Sequence, residues 1–572
     1  MFKRRFKPAF AVLLAAVLML SMLPAAAGKA SAAENPPKSK MQTYVDRMQP
    51  GWNLGNTLDS VGADETAWGN PRVTRELIKQ ISRQGFNSIR IPVTWDNHIG
   101  PAPDYKIDPA YLDRVAEVVG WARTENLYVL INVHHDSWVW ISKMESNHDE
   151  TLARYNAVWK QIAERFKNES DKLSFESVNE PRFTDGGTTD EAVAQEMLDE
   201  LNLSFHEIVR SSGGKNATRP LVLSTLEASP SQERMDALYQ TFEQLKDDKN
   251  LIATVHYYGY WPFSVNVAGT TTFDETTRND IVTTFDNVYD TFTARGIPVI
   301  VGEYGLLGFD QGLDVVEQGE KLKFFEFLTY YLKEKRLTGM WWDNGQHFSR
   351  TQYKWSDPEL YEIIRSGQKQ RSAVAETDLI MLRQGETVTD AVIQLQLNGN
   401  KLTSLKADGK RLVRNKEYSL NGETLTIPAA TLQRLTSPGK LGVNSVLTAG
   451  FTKGPDWNFY LTVHKTPVLE AASGTAADFA IPADFGGDKL ATMEAVYVSG
   501  GNAGPNDWTS FKEFGRTFDP DYAGGEIALT QTLLNEVRDN EAVTLTFHFW
   551  SGDKVTYTIT KTGGSVSGQP AQ

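Results

Sequence analysis

Leu173-Ser174-Phe175-Glu176-Ser177-Val178-Asn179-Glu180-Pro181 is the stretch that decides the fold. A short apolar run, Leu173 to Val178, ends on an asparagine, a glutamate and a proline, and an amphipathic helical pattern from Asp190 to Ser211 follows it. Seven more runs have this shape, at 51–54, 88–91, 127–133, 221–226, 252–256, 298–302 and 339–342. The helical patterns that go with them lie at 71–84, 109–124, 150–167, 232–245, 277–295, 319–334 and 357–364. Strand–helix alternation repeated eight times predicts a parallel sheet, and units of about 40 residues predict a closed (β/α)8 TIM barrel. An open doubly wound sheet is the competitor, but no glycine-rich phosphate loop follows the first run. In a barrel the polar residues that end the strands face one mouth. Arg90, His134, Glu180, His256, Glu303 and Trp342 end runs at that step.

The barrel is predicted over 41–366, and the character changes after it. Residues 372–465 show short alternating strands broken by turn signals such as Asn398-Gly399-Asn400, Asp408-Gly409 and Asn421-Gly422, which predicts a small Ig-like β-sandwich. A second β-rich stretch, 467–562, has glycine pairs at its turns and predicts another β-sandwich, and the last ten residues read as a frayed tail. At the other end, Lys3, Arg4, Arg5 and Lys7 precede an apolar run from Ala9 to Leu23 and a small-residue site at Ala30-Ser31-Ala32-Ala33. Residues 1–33 therefore read as an export signal, and the protein as secreted. The apolar run is too short for a membrane anchor, which needs about 20 residues.

A formal net charge of −14 argues against nucleic acid as partner, because phosphate binding needs basic patches. It suits a neutral ligand, and the chain is expected to be a monomer. The absence of cysteine excludes thiolate chemistry and Cys-ligated metals. Aromatic content is high, with 14 Trp and 20 Tyr.

Two glutamates carry the chemistry. Glu180 follows Asn179, and Glu303 follows the run Val299-Ile300-Val301-Gly302. A carboxylate at the end of a buried strand is costly to desolvate without a purpose. Glycoside hydrolysis needs two carboxyl groups on either side of the scissile bond. Three barrel units separate the pair, so they can face each other across the mouth.

These motifs, taken in order, resemble glycoside hydrolase family 5, whose members are retaining cellulases, mannanases and related enzymes on (β/α)8 barrels. The resemblance rests on Gly51-Trp52-Asn53-Leu54-Gly55-Asn56, Ile89-Arg90-Ile91-Pro92-Val93, Ile131-Asn132-Val133-His134-His135, Val178-Asn179-Glu180-Pro181, His256-Tyr257-Tyr258, Gly302-Glu303-Tyr304-Gly305 and Trp341-Trp342-Asp343-Asn344. It implies an endo-β-1,4-glucanase acting on a plant β-glucan, with Glu180 as acid/base and Glu303 as nucleophile. Arg90 and Tyr258 would serve Glu303, Asn179 would hold the sugar 2-OH, and His134 and His256 would complete the polar shell. Glu180 would start protonated, with a raised pKa. Asn56, His135 and Asn344 would contact substrate. Residues 372–465 resemble X2-type modules, and 467–562 resemble carbohydrate-binding module family 46.

Pyranose faces stack on aromatic rings, so strand-end tryptophans are candidate sugar contacts. Trp342 is expected as a floor, with Trp138, Trp140 and Trp261 on loops, and Trp508 and Trp550 as platforms in the last module. No cofactor is implied. A metal at His134-His135 is not expected, because adjacent residues on a strand point to opposite faces. The alternatives are a β-mannanase on the same barrel and a catalytically inactive carbohydrate-binding scaffold.

Overall fold

The computed structural model describes residues 38–184 and 190–571. The expected export signal lies outside these. Among the described residues no helix is long and apolar enough to cross a membrane.

Eight parallel strands close into a barrel: β1 Gly51–Asn53, β2 Ser88–Ile91, β3 Tyr128–Asn132, β4 Leu173–Glu176, β5 Leu221–Ser224, β6 Leu251–Tyr257, β7 Val299–Tyr304 and β8 Thr338–Trp341. Closure comes from β1 pairing with both β2 and β8. Side chains alternate along each strand. On β2, Ile89 and Ile91 join the helix-facing core, while Arg90 points inward.

The floor of the barrel is closed by a helix, Lys40–Met48, at the very start of the domain. Ser39 caps it by accepting a hydrogen bond from the Gln42 amide. Met41, Val45 and Met48 then bury against Leu130, Val222, Ile252, Ile300 and Met340, one inward residue from each of β3, β5, β6, β7 and β8. Ser88 and Thr338 fix the plug by donating to the Met48 and Val45 carbonyls, each at 2.6 Å.

A register shift in β7 sets the site. Val255 pairs with Val301, but the next residue, His256, pairs with Glu303, so Gly302 is an extra residue in the strand. Ile300 points inward. Simple alternation would turn Gly302 inward and Glu303 out, and the bulge reverses that and delivers Glu303 to the mouth. Glycine suits the bulge because a Cβ at 302 would lie 2.8 Å from Thr254 Oγ1 and 3.0 Å from His256 Nε2.

The first C-terminal module packs a five-stranded sheet against a four-stranded one. The last module pairs a four-stranded with a six-stranded sheet. The frayed tail expected at the C-terminus is instead a strand, Ser565–Pro570, paired with both Lys554–Thr562 and Ala472–Thr475. Its glycine has a packing reason: a Cβ on Gly568 would sit 2.4 Å from the Tyr557 ring.

Both modules dock on the barrel. The helix Gln318–Glu334 was legible as amphipathic, yet its charged Glu320, Lys321, Lys323 and Glu326 are buried too. The first module covers Lys323 and Glu326, while Lys321 is held within the barrel by Asp357 and the Leu313 carbonyl. Glu326 takes two bonds of 2.8 Å from Arg371 and another from the Ser372 amide, and Lys323 donates to the Glu376 carbonyl at 2.6 Å. Asn266, after β6, donates to the Ala491 carbonyl at 2.9 Å and accepts from the Phe514 amide at 3.2 Å, both in the last module.

Candidate active site

Strand ends converge on an open cleft of about 390 Å³, lined by Asn56, His134, His135, Asn179, Glu180, Tyr258, Glu303, Trp342 and Asn344 among others. All nine are sequence-predicted. Arg90 lies beneath them, fully buried.

Arg90 is the hub. Its Nη1 donates to Glu303 Oε1 at 2.7 Å and to Asn53 Oδ1 at 3.1 Å, and its Nη2 donates to Asn179 Oδ1 at 2.6 Å. The remaining face grips Glu176, with Nε–Oε2 at 2.8 Å and Nη2–Oε1 at 3.1 Å. Burial works against the guanidinium charge, but the Glu176 and Glu303 carboxylates outweigh it and hold its pKa above the ordinary value. Tyr258 donates to the other oxygen of Glu303 at 2.6 Å. Burial, and then the Glu303 charge, push the phenol well above its usual range, so it acts as a donor.

Glu180 stands opposite, on a backbone with φ of +39°. A non-glycine residue in this region ahead of a proline stores strain of about 1–3 kcal/mol. An oxygen of Glu180, an oxygen of Glu303 and a ring nitrogen of His256 all lie within 4.8 Å of one another. Oxygens this close match the short separation of about 5–5.5 Å between carboxyl groups that suits a nucleophile facing an acid/base better than the roughly 6.5–9.5 Å that leaves room for an attacking water.

His256 links the two, with Nδ1 at 2.9 Å from Glu180 Oε1 and 3.6 Å from Glu303 Oε2. The raised pKa expected for Glu180 is not what the free site gives. Burial pushes the carboxyl up, but the His256 hydrogen bond and charge, with Arg182 and Arg90 behind them, hold it below the ordinary value. His256 moves the other way, because the Glu303 charge and the Glu180 bond overcome its burial.

The reason given for discounting a metal at His134-His135 does not hold in the structure. β3 ends at Asn132, so strand alternation has stopped, and the two rings lie 4.3 Å apart. Asp59, His134 and His135 bring ligand atoms within 4.8 Å of one another. Two of the ring nitrogens have partners: His134 Nδ1 meets Asn132 Nδ2 at 3.0 Å, and His135 Nδ1 meets the Asp59 carbonyl at 2.7 Å. Burial pushes both imidazoles down, His135 to about 4.

The aromatics divide. Trp342 lies parallel to the His134 ring at 6.1 Å, and it is seated against Gly55, where a Cβ would be 2.8 Å from it. Trp138 is 47% exposed and meets His135 edge-on. Trp140 is a packing residue: buried, with Nε1 on Asp136 and the Arg154 guanidinium over its ring. Trp261 and Trp508, 40% and 58% exposed, stand 6.0 Å apart, one from the barrel and one from the last module. Trp550 does not join them; it lines a separate cavity of about 360 Å³ where the barrel and both modules meet.

Sequence reasoning missed Glu176, Asn53, Asn132 and Asp310. Glu176 had a signal: it sits inside a buried strand between two residues of the opposite face, where an unpaired carboxylate would be untenable. Asp310 had none; a turn after β7 brings it to the cleft, where burial and the Glu303 charge raise its pKa.

A family model described as Cellulase (glycosyl hydrolase family 5) matches residues 53–348, just over half of the chain. The chain belongs to glycosyl hydrolase family 5. Models described as Carbohydrate binding domain X2 and as Carbohydrate binding domain (CBM46) match 374–461 and 465–569, so this family 5 barrel carries two such modules. The chain is 62% identical to Endoglucanase B of Paenibacillus lautus over 97% of its own length and 98% of that protein's. Among solved structures it is similar to the full-length tri-modular endo-β-1,4-glucanase B of Bacillus halodurans, with TM-score 0.91 and 56% identity over 94% of this chain and all of that one. It is also similar to a tri-modular family 5 (subfamily 4) endo-β-1,4-glucanase of Bacillus licheniformis, with TM-score 0.80 and 33% identity over 91% of this chain and all of that one.

Proposed function

We propose that this family 5 enzyme is a secreted, retaining endo-β-1,4-glucanase acting on plant β-glucans, among them cellulose, mixed-linkage glucan and xyloglucan. The observation that carries the reading is the approach of Glu180 and Glu303 to within 4.8 Å across the mouth, with Arg90 and Tyr258 bonded to Glu303. The names of the relatives agree with the substrate class.

Glu303 attacks the anomeric carbon while Glu180 gives its proton to the departing glycosidic oxygen, so that one C–O bond forms as another breaks. The glycosyl ester on Glu303 then yields to a water whose proton Glu180 takes back. Arg90 and Tyr258 aim the Glu303 carboxylate. Arg90 also pins the Asn179 carbonyl, which leaves the Asn179 amide nitrogen as a donor to the sugar 2-OH. A glucan lying over Glu180 deepens its burial, which raises its pKa and loads it with the proton the first step needs.

Trp508, beside Trp261, extends the barrel's aromatic surface into the last module and offers a stacking platform to a chain longer than the cleft. An open cleft and such a platform suit attack on internal bonds.

NMR of the first sugar released from a soluble β-glucan tests the reading. The β-anomer should appear first and the α-anomer only by mutarotation. An α-anomer from the outset would overturn retention, and faster release from mannan than from carboxymethyl-cellulose would favour a mannanase.

A further inference from the structure

Outside the residues that line the cleft, three side chains converge at the seam between the two C-terminal modules. His464 ends the strand Trp457–His464 of the first module. Asp488 precedes the strand Leu490–Tyr497 of the last module, and Asp553 lies in the turn before Lys554–Thr562. One ligand atom from each lies within 4.8 Å of the others.

We propose that His464, Asp488 and Asp553 bind a divalent cation of the zinc type and that the ion ties the two modules together. His464 and Asp488 are each 3% exposed, and His464 Nδ1, Asp488 Oδ2 and Asp553 Oδ2 are buried without a close hydrogen-bond partner, although Ser551 also steadies the Asp488 carboxylate. Buried polar atoms are almost always satisfied, so three orphans at one spot ask for a common partner. Each carboxylate is anchored through its other oxygen: Asp488 Oδ1 accepts from the Lys489 amide at 2.8 Å, and Asp553 Oδ1 accepts from Arg383 Nη2. The free oxygens are thus held in place for a ligand.

The donor set chooses the ion. One imidazole and two carboxylates match three protein ligands of zinc with a fourth position for water. Calcium prefers six to eight oxygens and fits poorly. Zinc bonds of about 2.0–2.2 Å bring tetrahedral ligand atoms to about 3.4 Å apart, so binding draws the three inward by up to about 1 Å. Arg383 also bonds Glu386 at 3.4 Å, so its charge is shared between two acids and does not cancel both aspartates.

The full chain should be titrated with Zn²⁺ alone by calorimetry, alongside His464→Gln and Asp553→Asn. Hydrolysis of a soluble glucan in metal-free buffer serves as the check on folding. Asp59/His134/His135 and Glu180/His256/Glu303 also have ligand spacing, but they lie in the cleft and both variants leave them intact. The wild type should take up one more equivalent than either variant, or bind it more than about ten-fold tighter. Cobalt in place of zinc should give four-coordinate visible bands that both variants lack. Equal stoichiometry and affinity in all three proteins, or no uptake by the wild type, would overturn the site. If His464→Gln fails to fold, the same comparison with Asp553→Asn decides.

Discussion

Arg90 and Glu176 meet through two hydrogen bonds, of 2.8 and 3.1 Å, with both side chains wholly buried. This pair, made between β2 and β4, holds the guanidinium so that its remaining nitrogens reach Glu303, Asn179 and Asn53. Glu176→Ala leaves a buried cation with one carboxylate partner where it had two. Denaturant unfolding should show a loss of about 3–5 kcal/mol, as for other broken buried pairs. The kcat on soluble glucan should fall as well, because Arg90 is then free to turn away from Glu303. A loss below about 1 kcal/mol with full activity would mean that Arg90 needs no such anchor.

The balance at Glu180 sets a pH dependence. In the free enzyme His256 holds its carboxyl below the ordinary value against the push of burial. Bound glucan adds to burial and moves the pKa up. The acid must be neutral to act, so activity is lost as pH rises through that pKa. The alkaline limb should therefore lie at higher pH in kcat, which reports the complex, than in kcat/KM, which reports the free enzyme. Coincident limbs would show that substrate does not perturb Glu180.

Trp508→Ala should raise KM on long β-glucan by about 2–10-fold, the worth of one aromatic contact. Hydrolysis of a short aryl cellobioside should be unchanged, since Trp508 is not among the residues that line the cleft. Removing both modules would be a poorer test, since it strips Arg371 and Glu376 from the buried Glu326 and Lys323 of the barrel.

Asp378 sits buried at the junction of the barrel and first module, where its carboxyl group faces that of Glu317. Burial, and then the charge of Glu317, raise its pKa well above 3.8. The folded state thus binds more protons than the unfolded one over that window. Its contribution is fully present below the ordinary carboxylate pKa and is lost as pH rises through the folded value. Asp378→Asn should raise the melting temperature at about pH 8 and change little at about pH 4. A variant that melts lower than wild type at the higher pH would contradict this reading.

Much of this was legible in the sequence. Eight apolar runs alternating with helical patterns appear as the eight strands of the barrel, and Glu180 and Glu303 stand close together, as their spacing allowed. What escaped depends on contacts that periodicity does not encode. The bulge at Gly302 turns on a one-residue register shift between β6 and β7. Glu176 is visible as a carboxylate in a strand, but its partner is far away in the chain. The buried Lys323 and Glu326 of the helix Gln318–Glu334 make sense only once a second module covers them. Both Trp508 and Trp550 read as platforms in the sequence, Trp508 ahead of Trp550; the path of the last module over the barrel puts Trp508 beside Trp261 and Trp550 in the junction cavity.

The central claim is that Glu303 bonds covalently to the sugar while Glu180 moves the proton. Incubation with a 2-deoxy-2-fluoro cellobiosyl fluoride, followed by peptide mass spectrometry, reads this directly. The account predicts one glycosyl group attached to the peptide that contains Glu303, and none on a Glu303→Gln variant. A label on Glu180, or steady turnover of the reagent with no adduct on Glu303, would contradict it.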